Sequence, residues 1–166
     1  MNDATLRVIR IIDGTTVDGP GFRTSIYFAG CAHQCPGCHN PQSWDFAGGE
    51  SMSIAQIVER IERNDMDVTF SGGDPIYQWE ALTPLAVSLK ERGRRVWCYT
   101  GFLFEELKAR PELRRLLESV DVIVDGPFVS ALKDPSLIFR GSSNQRLIRC
   151  ADSLRNGATV YWQSEF

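Results

Sequence analysis

The chain has 166 residues, 43% of them hydrophobic, enough for a single core, and one domain over residues 1–166 is expected. Its 18 basic and 21 acidic residues are interspersed and leave a formal charge of -3, which excludes the electrostatic footprint of a duplex nucleic-acid or anionic-membrane binder. No apolar run approaches the roughly 18 residues that span a bilayer, the opening MNDATLRVIR lacks the layout of a secretion signal, and a cytoplasmic location is expected.

TLRVIRII (5–12) and RTSIYFAG (23–30) are strand-like, rich in β-branched and aromatic residues, and the turn-rich DGTTVDGPG separates them. A loop bearing Cys31, Cys35 and Cys38 follows the second strand directly. Ile54, Ile57, Val58 and Ile61 recur at helical spacing, and Ser53 with Gln56 forms a capping box, so a helix is expected over about 53–64. Val68 and Phe70 mark a short strand that ends at Gly72 and Gly73. Leu82, Leu85, Ala86 and Leu89 mark a second helix, and RRVWCYT (94–100) another strand. Pro111 divides the helical pattern of 103–119 into two short helices, because proline fits at the first helical position and not inside. DVIVD (121–125) is a buried strand. A weaker one is expected near 145–149 and a last one at ATVYW (158–162), the latter most simply part of the core.

Strands alternating with helices predict an α/β fold with a parallel sheet of five or six strands, too few to close an eight-stranded barrel. In such sheets the ligand site lies at the carboxyl ends of the strands. The cysteine loop and the turns SGGDP, YTG and DGPF all follow strands, so these four segments should gather at one edge.

Five cysteines, an odd number with three clustered, do not form a disulfide framework; the cluster reads as metal or redox chemistry. Thiolates suit zinc and iron-sulfur clusters. A structural zinc site needs further ligands, and Cys98 and Cys150 stand apart, while His33 and His39 are poorly placed beside the cysteines to complete one. A 4Fe-4S cube on three cysteines leaves one iron open to a small molecule. Asp74-Pro75 in SGGDP is a good cap and first helical position, and the glycines let a ligand approach the backbone.

The spacing C-x3-C-x2-C resembles the signature of the radical S-adenosylmethionine enzymes, and SGGDP resembles their Gly-Gly-Glu/Asp-Pro turn. The stretch VDGPGFRTSIYFAGCAHQCPGCHNPQSWD (17–45) resembles the activating enzymes of glycyl radical enzymes. VIVDGPFVSALKDPSLIFRGSSNQ (122–145) is similar to the activators of anaerobic ribonucleoside-triphosphate reductase. The likeness covers about 10–148. It implies a partial (βα) barrel, one 4Fe-4S cluster on Cys31, Cys35 and Cys38, and S-adenosylmethionine chelating the open iron. One electron then releases a 5'-deoxyadenosyl radical, which abstracts a Cα hydrogen from a glycine of the reductase. Glycine suits such a target because its Cα is open. A flavodoxin or ferredoxin is the implied electron donor. Another protein, a peptide or a small molecule is the alternative substrate.

Carried over by position, Gly72, Gly73 and Asp74 match the turn that holds the methionine amino group. Thr100 and Asp125 match strand-end positions that touch the cofactor or a cation; ordinary strand-end hydrogen bonding is the other reading of both. Gly37 and His39 flank Cys38 at positions whose backbone or ring lies by the adenine. The residue before the third cysteine is often aromatic in this superfamily, and with Gly37 there, His39 is the ring expected in its stead. Pro127 stands where some activators carry a lysine. Arg23, Arg140 and GSSNQ (141–145) suit docking of the partner's glycine loop or neutralising the cofactor, with a plain solvated arginine the alternative for Arg140. Cys98 is expected to pack in the core and Cys150 has no assigned partner.

Overall fold

A computed structural model describes residues 4–38 and 41–164. Its strands are β1 (Thr5–Thr15), β2 (Arg23–Phe28), β3 (Glu50–Ser53), β4 (Asp67–Gly72), β5 (Val96–Tyr99), β6 (Val122–Asp125) and β7 (Arg146–Arg149). The helices are α1 (Ile54–Asn64), α2 (Trp79–Glu91), α3 (Phe104–Lys108), α4 (Arg114–Ser119) and α5 (Cys150–Asn156). All seven strands join one mixed sheet in the order β3-β1-β2-β4-β5-β6-β7.

The parallel part is the run β2-β4-β5-β6, built by crossovers through α1, through α2 and through the α3–α4 pair. Antiparallel strands extend it on both sides, where β1 pairs with β2 and β3, and β7 pairs with β6. This raises the count above the five or six strands expected. The β1–β2 connection is too short for a crossover, so the two strands must run antiparallel.

Alternation along the strands sends one set of side chains to each face. On one face Phe28, Val68, Phe70, Val96 and Ile123 pack against Ile57 and Ile61 of α1, Leu82, Leu85 and Leu89 of α2 and Leu116 of α4, all essentially buried. The expected capping box fixes the start of α1: Ser53 Oγ accepts from Gln56 N at 3.1 Å, and Gln56 Oε1 accepts from Ser53 N at 2.9 Å. Pro111 opens a single 3-10 turn (Pro111–Leu113) between α3 and α4, as expected. On the other face Trp97, Val122 and Val124 form a smaller cluster with Phe139 and Trp162.

The segment 158–162 is not a regular strand. Arg149 N donates to Val160 O and Trp162 N to Leu147 O, both at 2.8 Å, with one bridge between Tyr161 and Ile148, because α5 and Gly157 turn the chain back beside β7. Trp162 packs on Trp97 with centroids 5.0 Å apart, so this end contributes to the smaller core. No helix among the described residues is long and apolar enough to cross a membrane.

Arg23 is 1% exposed, so it has no surface on which to meet a partner. Its guanidinium donates to Thr69 Oγ1 at 2.9 Å and to the carbonyls of Val68, Arg95 and Pro20, and it lies over the Trp97 ring. Burial pulls its pKa below the usual arginine value. It pins the amino ends of β2, β4 and β5 together. Replacing it leaves these acceptors unsatisfied, so Arg23→Ala should lower the unfolding free energy by roughly 3 kcal/mol in denaturant titration. Ile12→Ala, at an exposed position of β1, should change it by less than about 0.5 kcal/mol.

Candidate metal and cofactor site

Parallel pairing in register brings the carboxyl ends of β2, β4, β5 and β6 to one edge. There the chain leaves β2 through Ala29 and Gly30 into the cysteine loop, and leaves β4 into Gly73 and Asp74. Backbone hydrogen bonds sew the two exits together: Gly73 N to Phe28 O and Asp74 N to Gly30 O, each 2.8 Å. Gly30 N to Ser43 O at 2.7 Å closes the far end of the loop. The approach is so close that a Cβ on Gly73 would lie 2.5 Å from Gly30 O and 2.8 Å from Ser43 O. Gly72 has φ +102°, and a Cβ there would lie 2.3 Å from Phe28 N. Both glycines are therefore required by geometry.

Cys31, Cys35 and Cys38 line one cavity of about 220 Å³ together with Gly72, Gly73, Asp74 and Thr100. Gly126, Phe128, Gly141 and Gln145 form its far wall. Gly37 sits beside this wall, since a Cβ on it would meet the Phe128 ring at 3.4 Å. His39 lies outside the described residues. A larger cavity, about 640 Å³, opens at the opposite ends of the strands. Several of its polar groups are spent on backbone: Asp67 Oδ1 accepts from Arg95 N, Asp121 Oδ2 from Val96 N, and Lys90 Nζ donates to Glu118 O, while Arg149 pairs with Asp152.

Asp74 is 1% exposed and accepts four hydrogen bonds: Ile76 N to Oδ1 at 3.1 Å, and Thr100 Oγ1 (2.9 Å), Gly101 N (2.9 Å) and His33 Nε2 (2.7 Å) to Oδ2. The first is the expected cap, closing a 3-10 turn (Pro75–Gln78) rather than an α-helix. The others tie β4, β5 and the cysteine loop to one carboxylate. His33 was not singled out from spacing except as an unsuitable zinc ligand; nothing in the sequence links it to Asp74. Its ring meets Phe102 edge-on, centroids 4.6 Å apart, and rests on Gly101, where a Cβ would approach His33 Cδ2 to 2.6 Å. The bond to Asp74 raises the His33 pKa above its usual value.

Asp125 does not line the cavity. It is fully buried behind it, where Oδ2 accepts from Phe104 N at 2.8 Å, starting α3, and Oδ1 from Arg146 Nε at 3.0 Å. This is the strand-end hydrogen bonding weighed as its other reading. Arg140 is turned to its own loop, donating to Gln145 O at 3.0 Å, and Gln145 in turn accepts from Gly141 N and Ser142 N and donates to Gly126 O. Cys98 and Cys150 are fully buried, which pushes both thiols up and away from thiolate chemistry. Burial also raises Cys31, a thiol that becomes an anion readily only beside positive charge.

Among the described residues no three His, Cys, Asp or Glu side chains are gathered about one point to hold a single metal ion. The three thiols instead surround a shared cavity. That donor set fits a cluster, in which each thiolate binds its own iron.

Residues 17–148 match the family model described as a 4Fe-4S single cluster domain, so the class is that of a 4Fe-4S protein built on an α/β sheet. The chain is 38% identical over 141 residues to the anaerobic ribonucleoside-triphosphate reductase-activating protein of Escherichia coli K12, covering 78% of this chain and 89% of that one. Proteins of the same name from Pasteurella multocida and Enterobacteria phage T4 are 38% and 33% identical, over 80% and 83% of this chain and 90% of each relative. The chain belongs to the family of anaerobic ribonucleoside-triphosphate reductase-activating proteins. Its fold is also similar to that of QueE from Escherichia coli, with TM-score 0.52 and 16% identity over 73% of this chain and 70% of that one.

The contact of Gly101 with His33 makes a prediction. Gly101→Ala should expel the imidazole from Asp74 and cost on the order of 2 kcal/mol of stability, measured by scanning calorimetry. In a His33→Ala background the same substitution should cost much less.

Proposed function

We propose that the chain activates anaerobic ribonucleoside-triphosphate reductase by abstracting a Cα hydrogen from one of its glycines, leaving a glycyl radical. Cys31, Cys35 and Cys38 hold one 4Fe-4S cluster in this reading, and S-adenosylmethionine completes it. The observation that carries it is the shared cavity: three thiols and the Gly72-Gly73-Asp74 turn face one space at the carboxyl ends of the parallel strands. A cluster held by Cys31, Cys35 and Cys38 would supply the one electron that splits the carbon–sulfur bond of bound S-adenosylmethionine, releasing methionine and giving the adenosyl group the means to take a hydrogen atom from glycine.

The chain's own residues hold and orient. Gly72 and Gly73 admit the methionine portion to the backbone, and Asp74 receives its ammonium. Thr100 orients that carboxylate through its 2.9 Å bond. Gly37 is assigned to the adenine side of the cofactor, and so, from its place in the sequence, is His39. Asp125 acts from behind the wall, fixing the start of α3 and Arg146.

The run β2-β4-β5-β6, with helices over one face, supports the finer reading of the sheet as a partial (βα) barrel. Residues 1–166 act as one domain, in the cytoplasm, with a flavodoxin or ferredoxin-type protein as electron donor. The single continuous sheet supports the first of these.

Anaerobic reconstitution should load about four irons per chain. The reduced protein should cleave S-adenosylmethionine to 5'-deoxyadenosine and methionine, and with the reductase present give a glycyl doublet in electron paramagnetic resonance. Cys35→Ala should abolish cluster and cleavage; Cys98→Ala should keep both. Cleavage without a doublet would point to a different substrate, and a colourless reconstituted protein would remove the radical reading.

A further inference from the structure

Three of the four donors to Asp74, Thr100 Oγ1, Gly101 N and His33 Nε2, converge on Oδ2, while Ile76 N alone takes Oδ1. A carboxylate offers about four lone-pair sites over its two oxygens, so Oδ2 is fully subscribed. At 1% exposure the residue is shut off from bulk solvent. A further cationic donor therefore reaches Oδ2 only when one of its donors leaves.

Three of the four cannot leave cheaply. Ile76 N belongs to the turn that Asp74 itself caps. Gly101 N is backbone at the end of β5, and the Thr100 hydroxyl also accepts from Phe102 N at 3.1 Å. His33 is the exception. Its side chain is 18% exposed, it lines the cavity, and it comes from the cysteine loop rather than from the sheet. Its ring is seated on Phe102, Tyr77 and Gly101, and its Nε2 is held by Asp74.

We propose that His33 is an exchangeable occupant of the Asp74 carboxylate, holding the place that the ammonium of S-adenosylmethionine takes, so that cofactor binding releases the middle of the cysteine loop. This rests on the reading above that Asp74 receives the ammonium. An imidazole N–H and an ammonium N–H present the same thing to a carboxylate, one donor of compatible charge at hydrogen-bond distance. His33 lies between Cys31 and Cys35, so the exchange couples the filling of the methionine site to the position of two thiols. His33 is thus a positioning residue, acting through Asp74 and the loop.

The test measures cofactor dissociation constants on the anaerobically reconstituted, oxidised protein, in which no turnover occurs. His33→Ala should bind S-adenosylmethionine about tenfold tighter than the parent, since a hydrogen bond to a charged group no longer has to be broken. It should bind the desamino analogue of S-adenosylmethionine with unchanged affinity, because that molecule makes no claim on Asp74. His33→Gln, which keeps an N–H donor, should fall between.

Equal changes for both cofactors, or no gain with S-adenosylmethionine, would overturn the exchange. So would failure of both His33 variants to retain the parent's iron content, for His33 would then be a fixed part of the cluster loop. Asp74→Asn separates the two levels of the argument. If it weakens S-adenosylmethionine but not the desamino analogue, the ammonium site stands, and the His33 results judge the exchange alone. If it affects neither, the assignment of Asp74 fails and the exchange with it.

Discussion

A buried carboxylate has to be fully hydrogen-bonded, and at Asp74 that requirement organises the whole site. The turn after β4, the end of β5 and the cysteine loop have no covalent reason to be near one another. They meet because each sends a donor to the same two oxygens. Strand pairing sets the coarse position, and the carboxylate sets the fine one. The glycines follow from this. Gly72 and Gly73 let β4 and its turn lie against the backbone of residues 28–30, and Gly101 leaves room for an imidazole.

The two ends of the sheet divide the work. At the amino ends, Arg23 is spent on carbonyls and Thr69, and Asp67 and Asp121 on backbone N–H groups, so charge there fastens strands. At the carboxyl ends the thiols and the Gly-Gly-Asp turn face a cavity. The larger hollow in the protein is accordingly at the structural end and the smaller one at the chemical end. The nature of the groups lining each, not its size, distinguishes them.

Much of this was legible in the sequence. Local signals were read correctly where the determining partner is a few residues away: the Ser53–Gln56 capping box, Pro111 between two helical pieces, Asp74 as a cap, and Cys98 as a core residue. Partners distant in sequence were not legible. β3, a short and partly polar strand, shows no apolar alternation and exists because β1 offers it an edge. Segment 158–162 has strand composition, yet α5 and Gly157 deny it regular pairing. Asp125 and Arg23 looked available as isolated letters, and each is consumed by a neighbour from another element. His33 and Asp74 are 41 residues apart, and no periodicity relates them.

The three thiols are neighbours in the chain, whereas the walls of their cavity come from the turn after β4, the end of β5 and the strap of residues 126–145 just before β7. A chain emerging from the ribosome thus presents its thiols long before it can enclose them. Where metal ligands suffice to drive folding, as in zinc fingers, metal capture and folding are one event. Here the carboxylate that places the loop and the wall that faces it both belong to later segments. Iron delivered to the nascent loop would meet three exposed cysteines and no container. The enclosed site therefore exists only once residues 126–145 have folded against the cysteine loop.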